Sequence, residues 1–131
     1  MDYQDYIRQA QEVERLVQKG DYSSALELLY SLVKSDLADT DKAMMCLNIA
    51  IIWDKLGRPE KALQWYERGM DYERRTGGCF VAEHRAAYLA KIGRLEESLL
   101  AYEDLAARES LSEQARERVR QNINWLRAQL A

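Results

Sequence analysis

A chain of 131 residues suits one domain, and 47% hydrophobic with 31% charged residues and a single proline excludes a disordered tail or linker. With 19 basic against 22 acidic side chains the net charge is -3, which leaves no positive surplus for a phosphate backbone, so nucleic acid is not an expected partner. The opening MDYQDYIRQAQEVERL is charged throughout and lacks the apolar run of a signal peptide or membrane span, so a cytoplasmic protein without membrane contact is expected.

In chain order, the first helix is predicted over 3–19 and ends at Gly20. Tyr22, Ala25, Leu26, Leu29, Leu32 and Val33 recur at three and four residues, one apolar face of a second helix over 22–35. Asp39 or Thr40 is the expected cap of a third helix over 41–56, whose stretch from Met44 to Leu56 is apolar nearly all round. A helix of that composition is covered on several sides and belongs at the centre of the molecule. Pro59 then opens a helix over 59–74, in the first turn, where a missing amide hydrogen is tolerated. After the charged stretch Asp71 to Arg75, Gly77 and Gly78 break the chain; helices over 79–92 and 95–108 follow, separated by Gly93. Last comes a helix over 112–130, with Ala115, Val119, Ile123, Leu126 and Leu130 on one stripe and Ser110 or Ser112 as its cap. Its other face carries Arg116, Arg118, Arg120 and Arg127, as a terminal lid with one solvated side would.

Three segments are alike: KGDYSSAL from Lys19, LGRPEKAL from Leu56 and IGRLEESL from Ile92, with Gly20, Gly57 and Gly93 spaced 37 and 36 residues apart. Each glycine closes one helical pattern and precedes another, so each repeat is helix, tight turn, helix. The expected layout is a single domain with repeats at about 3–37, 40–76 and 79–110 and a capping helix at 112–130.

Leu47-Asn48-Ile49-Ala50-Ile51-Ile52-Trp53, followed by Lys55-Leu56-Gly57-Arg58-Pro59-Glu60-Lys61-Ala62-Leu63 and Trp65-Tyr66, closely resembles a tetratricopeptide repeat. Ala50, Ala62 and Gly69 fall where that family packs helices closely, and Trp53 and Tyr66 where it places large knobs. In the flanking repeats Val13 and Ser98 stand at close-packing sites, and Leu16 and Leu89 replace Trp53. The spacing exceeds the family's usual length of about 34 residues and the proline that commonly ends a repeat is absent. Longer second helices, as in the kinesin light chain-like branch, would account for both.

The resemblance implies an all-α, right-handed superhelical array of antiparallel helix pairs, with the first helix of each repeat lining a concave surface. Five columns would then cross it: Ile7, Met44 and Phe80; Ala10, Leu47 and Glu83; Gln11, Asn48 and His84; Glu14, Ile51 and Ala87; Gln18, Lys55 and Lys91. Members of the third column both donate and accept hydrogen bonds, as reading an extended peptide backbone requires, and in some family members an asparagine ladder stands there. Only Asn48 is asparagine here, and the alternative is that Gln11, Asn48 and His84 bond neighbouring helices. Met44, Leu47 and Ile51 would form an apolar floor, unless adjacent helices bury them. The lysine and asparagine clamp of the family's chaperone-tail binders is missing from the second and fourth columns, so capture of a C-terminal carboxylate by that route is not expected. The expected partner-binding set is Gln11, Met44, Leu47, Asn48, Ile51, Lys55, Phe80, Glu83, His84, Ala87 and Lys91.

Signs of chemistry are sparse. His84 is the sole histidine, and Cys46 and Cys79 sit in apolar contexts, as small buried hydrophobes, outside any metal-ligand spacing. Glu83 and His84 are sequence neighbours, which point about 100 degrees apart on a helix. The reading is therefore a non-catalytic module, an adaptor or scaffold without cofactor or metal, that binds a peptide or helix of another protein in its groove. The alternative is a homodimer or larger homo-oligomer that uses the same apolar surface, or an edge such as Trp125 and Leu130. A third reading, an acidic partner or nucleic acid on the Arg116 to Arg127 helix, is weakened by Glu113 and Glu117 on the same helix.

Overall fold

A computed structural model describes residues 2–131. Among them are seven helices and no strand: α1 (Tyr3–Gln18), α2 (Tyr22–Lys34), α3 (Asp39–Lys55), α4 (Pro59–Arg74), α5 (Phe80–Lys91), α6 (Leu95–Ala106) and α7 (Glu113–Leu130). Each helix packs on its neighbours in sequence, and α3 also touches α5, so the chain is an all-α solenoid of helix pairs.

The turns within the pairs repeat one geometry. Gly20, Gly57 and Gly93 adopt φ of 79°, 74° and 85°, a left-handed conformation in which a Cβ is penalised. In each case the residue after glycine donates its amide to a carbonyl five positions back: Asp21 to Leu16, Arg58 to Trp53 and Arg94 to Leu89, all at 2.9 Å. The acceptors are the three residues that occupy the Trp53 position of the repeat. The chain therefore leaves each first helix at the same angle, and identical exits are what allow successive pairs to stack in register.

Register is visible in the contacts between pairs. Asp54 on α3 accepts from Lys91 at 2.6 Å and from the Tyr88 hydroxyl at 3.2 Å, both on α5. Arg94 on α6 reaches Glu60 on α4 at 3.1 Å, and Arg118 on α7 pairs bidentately with Glu83 on α5 at 2.8 and 3.0 Å. These partners lie between 34 and 37 residues apart, about one repeat.

Small residues let the helices approach. Ala50 and Ala62 are fully buried where α3 and α4 meet, and a Cβ added to Gly69 would lie 3.0 Å from Val81 Cγ1, 3.1 Å from Cys46 Cβ and 3.2 Å from the Ala43 carbonyl. Ser98 occupies the corresponding place in the last pair and is also fully buried, its hydroxyl donating to the Ala86 carbonyl at 2.7 Å. Two apolar clusters result, one built on α1, α2 and α3, the other running from α3 to α7. Ile49 and Ile52 face the first and Leu47 and Ala50 the second, which is why α3 is apolar all round.

Three local expectations need correction. Ala38, not Asp39 or Thr40, precedes α3 and makes no side-chain cap; Asp39 is already helical, where its charge suits the first turn and faces Arg75. Cys79 is half-buried rather than buried. The arginines of α7 are anchored more than a solvated face requires: Arg116 donates to the carbonyls of Ala106, Arg108 and Leu111 at 3.1, 2.9 and 3.3 Å, closing the end of α6, which lacks a glycine. Ser112 caps α7, accepting from the Ala115 amide at 3.2 Å.

The charged stretch Asp71 to Arg75 hides one buried member. Glu73 is 5% exposed, and its carboxylate accepts from the amides of Val81 at 2.6 Å and Ala82 at 3.1 Å. Those are first-turn amides of α5, whose own N-cap residue, Cys79, supplies no side-chain bond. An α4 carboxylate thus caps the helix of the next pair.

Candidate functional site

Three clefts run between the first helices of successive pairs. One of about 340 Å³ lies between α1 and α3, lined by Ala10, Val13, Glu14, Val17, Gln18, Asn48, Ile51 and Ile52. A second, also about 340 Å³, lies between α3 and α5 and is walled by Ile51, Asp54, Lys55, Tyr66, His84, Ala87, Tyr88 and Lys91. The third, about 370 Å³, sits between α5 and α7, with Phe80, Glu83, His84, Ala87, Tyr102, Arg118 and Asn122 around it. Ile51 belongs to the first two and His84 with Ala87 to the last two, so the clefts join into one track across α1, α3, α5 and α7.

Of the residues expected in this surface, Asn48, Ile51, Lys55, Phe80, Glu83, His84, Ala87 and Lys91 line the track. Leu47 does not. It is 3% exposed and lies in the apolar cluster that runs from α3 to α7, so it forms no part of an apolar floor. Met44 is half-buried against both apolar clusters and Gln11 is exposed, and neither lines a cleft. The second column therefore opens at Ala10 and Glu83 but closes at Leu47.

The polar groups of the track divide into committed and uncommitted ones. Asp54 is held by Lys91 and Tyr88, and Glu83 by Arg118. Asn122 donates to the Arg118 carbonyl within its own helix at 2.9 Å. His84 packs its ring on Phe80, centroids 4.5 Å apart, while Phe80 stays 52% exposed. Among the described residues the side chains of Gln11, Asn48 and His84 make no hydrogen bond to a neighbouring helix. Asn48 is half-buried between apolar walls with its amide unspent.

Burial pushes the phenols of Tyr66 and Tyr88 up to about 12, with Asp54 adding to the effect, and burial does the same for Tyr102. At neutral pH these walls present hydroxyls and no phenolate. Burial likewise raises the Cys46 thiol to about 11, far from the thiolate a nucleophile needs. Glu83 turns to Arg118 rather than to His84. Among the described residues no group of three or more His, Cys, Asp or Glu could hold a metal ion, and no helix is long and apolar enough to cross a membrane.

The sequence reading missed the far end of the track. Arg118 and Asn122, on the helix expected to cap the array, also line the α5/α7 cleft; the spacing of Glu83 and Arg118, 35 residues, carried that signal.

No protein-family model matches the chain. It is 30% identical over 78 residues to a protein of Synechococcus sp. (strain CC9902) named Photosystem I assembly protein Ycf3, an alignment covering 60% of this chain and 44% of that protein. The chain thus spans less than half the length of the curated relative it matches.

Proposed function

We propose that the protein is a tetratricopeptide-type binding module that holds an extended segment of another protein along the track formed by α1, α3, α5 and α7. The observation that carries this reading is Asn48: a half-buried amide in the α1/α3 cleft that no neighbouring helix uses. The amide remains open to solvent in the cleft, with a donor and an acceptor both unspent, which is what pairing with an extended peptide backbone requires. Ile51, shared by two clefts, supplies apolar contact on either side of it. The assembly role in the name of the Synechococcus protein agrees with a function exercised through protein contacts, and an adaptor or assembly factor without chemistry of its own is the form it takes here.

Selection of peptides from a displayed random decapeptide library, followed by titration of the best binder, tests the reading. Ile51→Asp and Asn48→Ala are each expected to weaken that peptide about tenfold or more, roughly 1.4 kcal/mol. Leu100→Asp, on an exposed α6 position outside the track, is expected to leave it unchanged. Equal binding by all three variants would place the site elsewhere, and failure to select any peptide would remove the reading.

A further inference from the structure

The charges along the track have an order. In the α1/α3 cleft the one charged wall residue is Glu14, and among the described residues it has no cationic partner. In the α3/α5 cleft Asp54 is satisfied by Lys91, which leaves Lys55 as an unmatched cation. The α5/α7 cleft is balanced, because Glu83 and Arg118 neutralise each other bidentately. Walking from α1 to α7, the unmatched charge is therefore negative, then positive, then none. The position of Lys55 in the last turn of α3 explains a cation there, since it faces the negative end of the helix, but not why no carboxylate accompanies it when Lys91, in the last turn of α5, has one.

We infer that the occupant is an extended segment with a charge order of its own: a basic side chain beside Glu14, an apolar one against Ile51 and an acidic one beside Lys55. This rests on the groove reading proposed above and adds a partner chemistry and a direction. A segment laid in the opposite sense would set like charge against like at both points, which disfavours that orientation and any partner with the reverse order.

The test uses two acetylated, amidated and fluorescein-labelled decapeptides of identical composition, one with a lysine before and an aspartate after a central leucine, the other with the two exchanged. Against the wild-type chain one order is expected to bind roughly tenfold tighter, a preference that falls as salt is raised. The double variant Glu14→Lys/Lys55→Glu, whose changes fall on exposed side chains, is expected to invert the preference. Circular dichroism checks its fold, and a helical signal equal to that of the wild type is expected. Equal binding of both peptides to the wild type, or a preference that survives the double variant unchanged, overturns the inference. The Ile51→Asp variant separates the layers: if it abolishes binding of both peptides while neither is preferred, the groove stands and only the charge order fails. If both peptides bind Ile51→Asp as tightly as wild type, the groove itself is wrong.

Discussion

Replacing Glu73 tests whether pairs are coupled through a carboxylate that one helix lends to the next. Its two oxygens accept from Val81 at 2.6 Å and Ala82 at 3.1 Å, and all three residues are buried. Hydrogen bonds to an ionised group are worth about 1.5–3 kcal/mol each, and a buried amide left without an acceptor loses about 1–3 kcal/mol. Glu73→Ala removes both bonds and strands both amides, so a loss of about 3–4 kcal/mol is expected, large against the roughly 5–15 kcal/mol of a typical domain. Glu73→Gln keeps one acceptor but turns an amide donor toward the second N–H, and about half that loss is expected. Urea unfolding followed by circular dichroism reads both; with a slope of about 2 kcal/mol/M the alanine variant unfolds roughly 1.5–2 M earlier. Asp71→Ala, an exposed neighbour on the same helix, serves as the control. If Glu73→Ala and Asp71→Ala shift the midpoint equally, α5 is not held by this cap.

Arg116→Ala strips the three carbonyls that close α6; a loss of about 1–3 kcal/mol is expected by thermal melting, while the exposed Arg120→Ala stays within about 0.5 kcal/mol. Gly69→Ala forces a methyl against Val81, Cys46 and the Ala43 carbonyl, so about 1–3 kcal/mol of destabilisation is expected despite the better helix propensity of alanine; a stabilised variant would show that α4 has room there. The buried phenols set an alkaline limit. Tyr66, Tyr88 and Tyr102 are raised to about 12 from 10, so the folded state holds their protons more tightly than the unfolded chain. Their contribution is whole below pH 10 and is lost as pH rises through about 12, so urea midpoints are expected to stay level up to 10 and then fall. Titration of absorbance near 295 nm should show these three ionising after the exposed tyrosines or together with unfolding.

Helix count, order and pairing were legible because glycine at each turn and apolar periodicity on each helix speak in local terms. Every helix boundary falls within two residues of the expected one. What stayed hidden depends on contacts between distant positions. Leu47 reads as a groove residue from its column, but it is buried in the apolar cluster that α3 shares with α4 to α7, an arrangement set by packing between distant segments. Glu73 sits in a run of charges and looks solvated; only the fold brings the amides of α5 to it. Arg116 likewise shares a stripe with other arginines, and nothing local says that its guanidinium closes the end of α6. Where a side chain's partner lies one repeat away the spacing betrays it, as with Glu83 and Arg118; where the partner is a helix end, no residue type marks the spot.

The first helix contributes only Val13 and Leu16 to the interior, whereas α3 contributes seven buried residues. In a one-dimensional stack whose members touch only their neighbours, the end with least interior surface detaches at the lowest free energy. Amide protons of α1 should therefore exchange first, while those of α3 wait for the whole molecule to open. On that ordering the side of the track that carries Glu14 is expected to yield before the side that carries Lys55, so a visiting segment would meet one fixed jaw and one that adjusts to its girth.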